Sequence, residues 1–178
     1  GVGSGIARKL VEAFGVGLVD VIEKGPERLT EVPGIGPKRA RTIHAAWKEL
    51  HEMSDIMIFL QSHGVSAAYA YKIFTFYGKD TPRIVQENPY RLSYDIFGIG
   101  FRTADRIASG FGVPKDSPAR ARAGVAYALS EISEQGHACC PLDGLVKKAV
   151  SLLEVPELVV REAVEGLRQE GQVVVEEA

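Results

Sequence analysis

Apolar residues recur along this chain at a spacing that predicts four copies of one helical unit. The copies read GVGSGIARKLVEAFG (1–15), GIGPKRARTIHAAWK (34–48), GVSAAYAYKIFTFYG (64–78) and GIGFRTADRIASGFG (98–112). In every copy position two is Val or Ile, position seven is Ala, and position ten is Leu or Ile. Residues three apart share one face of a helix, so we expect positions seven and ten to be buried together.

A second helical segment leads into the later copies. Residues 18–33 and 82–97 each carry an apolar helical pattern, then Gly-Pro or Asn-Pro, then a leucine three residues after the proline. Proline is favoured at a helix start because the amide that it lacks would be unpaired there. Each unit is therefore predicted to be helix, tight glycine turn, helix, and we number the units as hairpins one to four.

The remaining residues predict a different arrangement. Pro114 and Pro118 break the repeat and mark a boundary. Residues 119–135 read as a helix, 137–142 as a short strand, 145–153 and 157–171 as two helices, and 172–177 as a strand. This order resembles a winged helix, so we expect one domain over residues 1–112 and a small winged-helix-like α/β domain over 113–178.

Composition and charge narrow the function. The chain is 46% apolar and 25% charged, which is typical of a globular protein, and no apolar run reaches membrane-spanning length. The net charge is −2, made up of +2 over residues 1–112 and −4 over 113–178. Any phosphate contact is therefore expected in the first part, through placed donors rather than a broad positive field. The adjacent Cys139 and Cys140 favour a cytoplasmic location. Because the chain starts at Gly1 without a Met, we expect it to be a processed or excised piece.

The glycines at positions one and three make the turns suited to bind an anion. They permit positive φ and leave turn amides bare at the start of the second helix, where the helix dipole favours an anion. Lys38 and Arg102, both at position five, add a positive charge beside that turn. A dinucleotide-binding loop is excluded because the third glycine and the preceding strand are missing. A phosphate-binding P-loop sequence is also absent.

Residues 32–40, VPGIGPKRA, resemble the helix-hairpin-helix motif, which binds the DNA backbone without reading its sequence. The resemblance implies a mainly α fold of tandem helix-hairpin-helix repeats before the winged-helix-like tail. It implies DNA phosphate binding by Gly34, Gly36, Lys38, Arg39, Gly98, Gly100, Arg102 and Thr103. Weaker contacts are expected from Gly1, Gly3, Gly5, Arg41 and Arg106. Hairpin three departs from the motif at Ser66 and Ala68, so we interpret it as a structural repeat that packs others together.

The whole order resembles the N-terminal region of the RecD-like (RecD/TraA type) superfamily-one DNA helicases of bacteria, especially at PYRL (89–92) and FGIGFRTAD (97–105). This resemblance implies an ATP-driven 5′-to-3′ motor outside these residues, with a role in DNA repair and recombination. No cofactor is expected in this chain, and ATP and Mg²⁺ are expected only in the motor domains. The implied partners are DNA, as duplex, junction or single strand, and a protein docking on the acidic C-terminal domain, with no membrane contact.

Two other functions remain open at this point. A helix-hairpin-helix DNA glycosylase would use Lys38 as its catalytic lysine and Asp55 as its carboxylate, although the repeats leave little room for a base-flipping pocket. A protein-interaction scaffold with vestigial hairpins would fit the low net charge. His137, Cys139 and Cys140 have no further metal ligand nearby, so we expect them to pack rather than to bind a metal.

Overall fold

The structure, a computed structural model, describes residues 3–137 and 139–176. It contains two compact units, Gly1–Ile58 and Phe59–Ala178. The boundary predicted at residues 112/113 falls inside the second unit and stays a prediction. Within the described residues, no helix has both the length and the apolar character that crossing a bilayer requires.

The helices follow the predicted order. They are α1 Ser4–Phe14, α2 Leu18–Lys24, α3 Pro37–Ser62, α4 Ala67–Tyr77, α5 Thr81–Glu87, α6 Arg91–Asp95, α7 Phe101–Gly110, α8 Pro118–Glu134, α9 Leu142–Leu153 and α10 Glu157–Gln169. Short 3₁₀ helices cover Gly15–Gly17, Pro26–Glu31 and Gly78–Asp80. The second helix of each hairpin is therefore α1, α3, α4 or α7.

The first unit is built around one apolar cluster. Position ten of hairpins one and two, Leu10 and Ile43, lies in this cluster with Leu29, Val32 and Ile35. Two polar contacts tie α3 to α2: the His44 Nδ1 lies 2.6 Å from the Ile22 carbonyl oxygen, and the Trp47 indole donates to Glu23. Buried side chains on both sides of Gly34 therefore anchor the hairpin-two turn to this cluster.

The repeat register is confirmed in hairpins two to four. Position seven is buried there in each case, as Ala40, Ala70 and Ala104, and position ten is buried in all four hairpins. Ala7 of hairpin one is exposed, contrary to the expectation, because no described element covers that side of α1.

In the second unit, hairpins three and four pack closely together. A Cβ atom placed at Gly110, near the end of α7, would overlap the carbonyl oxygen of His63 in the hairpin-three turn. The His63 ring stacks on Phe111 with centroids 4.2 Å apart and planes 6° apart. Glycine at position 110 therefore allows α7 to lie directly against the preceding hairpin.

The predicted winged-helix-like α/β tail is wrong in its β part. The described residues of 113–176 form three packed helices, α8, α9 and α10, and contain no strand. Pro141, in the segment predicted as the first strand, accepts from the Leu145 amide and begins α9 instead. At the other end, the amides of Gln172 and Val173 donate to the Leu167 carbonyl, which ends α10 and prevents that segment from leaving as a strand.

Candidate nucleic-acid interface

All four hairpin turns share one hydrogen bond that fixes where the second helix begins. In each, the position-seven amide donates to the position-three carbonyl, at 3.1, 3.0, 2.8 and 3.0 Å in hairpins one to four. Position three is therefore the N-cap residue, and the amides at positions four to six have no carbonyl four residues back to bond to, except that Pro37 of hairpin two has no amide N–H. The four turns differ in which amides at positions one to six are bonded.

Hairpins two and four leave their turn amides open. Gly34 and Gly98, at position one, have φ of +96° and +83°, a backbone conformation that favours glycine. Gly36 and Gly100, at position three, are exposed, and a Cβ atom at either would meet no atom within 4 Å. Within the described residues, these four amides have no acceptor in the chain. Solvent-facing N–H groups at a helix start are suited to bind an anion.

The residues predicted at positions five and six of these two turns also have open amides, with one exception. The amides of Lys38, Arg39 and Arg102 also lack an acceptor among the described residues. The Thr103 amide donates to the Gly100 carbonyl at 3.0 Å, so it is already partly engaged. Hairpin two therefore presents four open amides at the predicted positions, whereas hairpin four presents three.

Hairpin three is partly closed by its own atoms, although the amides of Ser66 and Ala68 have no acceptor among the described residues. The Gly64 amide donates to the Gln61 carbonyl, and the Val65 amide donates to the Leu60 carbonyl. At position three, the Ser66 hydroxyl accepts from the Tyr69 amide at 3.4 Å, as an N-cap side chain does. The turn backbone has the same shape, with Gly64 at φ +80°, but fewer donors face solvent. This geometry supports the interpretation of hairpin three as a structural repeat.

Hairpin one is described only in part. Gly1 lies outside the described residues, so its predicted contact has no structural description. Gly3 and Gly5 are exposed, with open space beside them, and the Ile6 amide donates to the Gly3 carbonyl. Hairpin one therefore offers an open surface at Gly3.

Positive charges lie at both open turns, but they come from different places. In hairpin two, the Arg39 guanidinium folds back and donates to the Gly34 carbonyl at 2.9 Å, and Lys38 is exposed beside it. In hairpin four, a Cβ atom built at Gly98 would lie 2.9 Å from the Nζ atom of Lys72, which belongs to α4 of hairpin three. Arg41 and Arg106 are exposed further along their helices.

Arg102 faces the C-terminal helices as well as solvent. It lines an open cavity of about 600 Å³ with Phe101, Asp105, Lys148, Ser151 and Leu152. The pKa of the Tyr127 phenol is raised, chiefly by its hydrogen bond to Glu131, while Arg102 acts in the opposite direction. Arg102 therefore lies near Glu131, and part of its charge is balanced within the protein.

A paired charge anchors α7 to the helices that follow it. Arg120 donates to both carboxylate oxygens of Asp105, at 2.8 and 3.0 Å, and also to the Leu153 carbonyl. The Tyr90 hydroxyl donates to the same carboxylate at 2.7 Å. Burial, followed by this bond, raises the pKa of Tyr90 above its usual value. Asp105 is thus a structural residue, which explains why α7 presents Arg102 and Arg106 in fixed positions.

The side chain that immediately precedes the turn is aromatic in hairpin four but not in hairpin two. Pro33 stands there in hairpin two and Phe97 in hairpin four. Phe97 is 97% exposed, although its neighbours Ile96 and Ile99 are buried. The turn is therefore held firmly while an aromatic ring projects into solvent beside the open amides.

The glycosylase alternative does not fit this geometry. Lys38 and Asp55 lie on the same helix, α3, and 17 residues at 1.5 Å per residue separate them by about 25 Å. Asp55 pairs instead with His51. Among the residues described, no group of three His, Cys, Asp or Glu side chains is arranged to hold a metal ion.

Lys72 and the Ser66 cap were not anticipated from the sequence. The role of Ser66 could have been predicted, because Ser, Thr, Asp and Asn are the favoured N-cap residues and Ser66 stands at position three. The position of Lys72 could not, since its approach to Gly98 depends on how α4 packs against the residues of hairpin four.

Comparison with known proteins agrees with this repeat structure. The family described as ATP-dependent RecD2 DNA helicase HHH domain matches residues 49–139, just over half of the chain. The family described as SAM-like helix-hairpin-helix tandem matches residues 1–49. The chain is 28% identical to the ATP-dependent RecD2 DNA helicase of Deinococcus radiodurans over 166 residues. This match covers 93% of the chain and 23% of that relative, so the chain spans about a quarter of the relative's length.

The resemblance to RecD-like helicases at residues 89–92 and 97–105 is thereby confirmed, since both stretches lie within the matched range. This chain belongs to the ATP-dependent RecD2 DNA helicase helix-hairpin-helix domain family.

Proposed function

We propose that this chain is a non-motor DNA-binding region of a RecD2-type helicase, and that hairpins two and four bind DNA phosphates without reading base sequence. The observation that carries the proposal is the contrast in amide bonding. Hairpins two and four leave the position-one amides of Gly34 and Gly98 open, in addition to those of Gly36 and Gly100, whereas hairpin three bonds its position-one amide, that of Gly64, to the Gln61 carbonyl.

A phosphate oxygen suits these turns for three physical reasons. Backbone N–H groups donate to it, the helix dipole places partial positive charge at the same end, and nearby cations add charge-assisted bonds. Phosphate contacts fix the position of a protein on DNA but carry no sequence information. With a net charge of −2 and two open turns, binding should be weak and sensitive to salt.

The activity of the complete protein is part of the same proposal. The relative is named an ATP-dependent DNA helicase, and the RecD-like resemblance adds 5′-to-3′ polarity, a cytoplasmic location and a role in DNA repair and recombination. ATP and Mg²⁺ would then act in a motor domain outside these residues. The role of this chain is to hold duplex, junction or single-stranded DNA near that motor.

The acidic C-terminal helices fit protein contact better than DNA contact. On α10, Glu157 and Glu165 pair with Arg161 and Arg168, which neutralises the arginines. The exposed Leu158 lies on the same helix. This surface is suited to dock a protein partner of the helicase.

The proposed function is tested by blocking both open turns. Gly36→Val with Gly100→Val places branched side chains at the N-cap positions, where there is room for them, and screens the amides from a phosphate. Fluorescence anisotropy with a labelled duplex should show loss of binding, with helical content unchanged by circular dichroism. Ser66→Val at the equivalent position of hairpin three is the matched control and should retain wild-type affinity. Unchanged affinity in the double variant would favour the scaffold alternative.

A further inference from the structure

We propose that Lys72, from hairpin three, is a phosphate-binding residue of hairpin four. This inference rests on the proposed function and adds a residue that the helix-hairpin-helix motif does not contain. It gives hairpin three a part in binding although its own turn is partly closed.

The position of the Lys72 ammonium is the first argument. Its Nζ atom occupies the space beside the Gly98 Cα, 2.9 Å from where a Cβ atom would stand. Among the described residues other than Gly98 and its two chain neighbours, no other heavy atom lies within 4 Å of that point. Gly98 is exposed, and its amide has no acceptor among the described residues. An anion bonded to the turn amides of hairpin four would therefore lie close to this cation.

Lys72 has no acidic partner among the described residues. In the part of the chain that the structure describes, no carboxylate lies within ion-pair distance of it. Asp95, on α6, accepts from the Tyr77 hydroxyl at 2.7 Å and pairs with Arg91 of the same helix at 3.2 Å. The first of these contacts joins α4, which carries Lys72, to α6.

Hairpin two has a comparable cation beside the first glycine of its turn. There, position six is Arg39, whose guanidinium reaches back to Gly34 at position one. Position six of hairpin four is Thr103, which carries no charge. Both open turns nevertheless have a cation at position one, supplied locally in hairpin two and by the preceding hairpin in hairpin four. A cation therefore lies near position one in both open turns, although it comes from a different repeat in each.

The inference is tested with Lys72→Gln, which removes the charge and keeps most of the side chain. Duplex affinity is measured by anisotropy over a range of salt concentrations. Loss of one phosphate contact should lower the slope of log K against log salt by about 0.9. Lys147→Gln, which removes an equal charge from an exposed site on α9, is the control and should leave the slope unchanged. Lys72→Arg, which keeps the charge, should have the wild-type salt slope.

The outcomes separate this inference from the proposed function. A normal slope in Lys72→Gln, together with loss of binding in the Gly36→Val/Gly100→Val variant, would overturn the role of Lys72 alone. A slope lowered equally by Lys72→Gln and Lys147→Gln would also overturn it, because the effect would then be one of general charge. Normal binding in both the glycine variant and Lys72→Gln would overturn the proposed function as well.

Discussion

Hairpins three and four have nearly the same turn but differ in the bonding of its first amide. Each begins with a glycine at positive φ, buries position two, and bonds the position-seven amide to position three. At position one, the Gly64 amide of hairpin three is bonded to the Gln61 carbonyl, whereas the Gly98 amide of hairpin four has no acceptor among the described residues. The same helical frame can therefore present different turn amides, and the proposed function assigns the difference in DNA binding to them.

The two hairpins also depend on each other. Hairpin three supplies the surface on which α7 packs, through His63, and it places Lys72 at the turn of hairpin four. A repeat whose first turn amide is bonded within the protein therefore still contributes to the surface around its neighbour's turn.

The largest effect is expected where the two hairpins touch. Gly110→Ala places a methyl group against the His63 carbonyl oxygen, so the backbone must move and α7 must shift. We expect the free energy of unfolding to fall by about 3 kcal/mol, as for other overpacked sites. Urea unfolding followed by circular dichroism measures this. Gly144→Ala, on α9 with open space around it, should be neutral or stabilising by about 0.5 kcal/mol. Equal effects of the two substitutions would contradict the close packing.

A smaller effect is expected from the exposed aromatic residue of hairpin four. Phe97→Ala should weaken binding to single-stranded DNA by about 1.5 kcal/mol, because an exposed ring beside a phosphate site stacks on an unpaired base. Binding to a blunt duplex, whose bases are already stacked, should change little. Pro33→Ala in hairpin two is the control and should affect the two substrates alike. Competition anisotropy with both DNA forms measures the difference, and a loss of equal size on duplex would rule out stacking.

The smallest effect concerns the cap that closes hairpin three. Ser66→Ala removes the bond to the Tyr69 amide and should lower the free energy of unfolding by about 1 kcal/mol, as is typical for loss of an N-cap. DNA affinity should stay the same, since the Gly64 amide remains bonded to the Gln61 carbonyl and position five, Ala68, carries no positive charge. Thermal unfolding and anisotropy on the same variant measure both quantities. A large drop in affinity would show that hairpin three binds DNA directly.

The sequence predicted the repeats well because their register rests on local helix periodicity. Ala104 and Ile107 fall on one buried face, as Ala40 and Ile43 do, so positions seven and ten identified each second helix without any tertiary information. The helix-hairpin-helix resemblance likewise depends on short-range spacing around Gly34 and Gly98.

The parts that were missed depend on contacts between elements or on competing local bonds. Val173 to Val175 have high strand propensity, but a strand needs a partner, and the Gln172 and Val173 amides cap α10 instead. Lys72 approaches Gly98 from a different hairpin, 26 positions earlier in the chain, and α4 is joined to α6 by the Tyr77–Asp95 bond between residues 18 positions apart. Neither result follows from the pattern of a single segment.

The most direct test of the central claim follows the turn amides themselves by NMR. A ¹⁵N-labelled chain is titrated with a short DNA duplex, and the amide signals of Gly36, Gly100 and Gly64 are compared. The account predicts large, saturable shifts for Gly36 and Gly100, whose amides are open, and little change for Gly64, whose amide is bonded to Gln61. Shifts of equal size at all three, or a response at Gly64 alone, would contradict it.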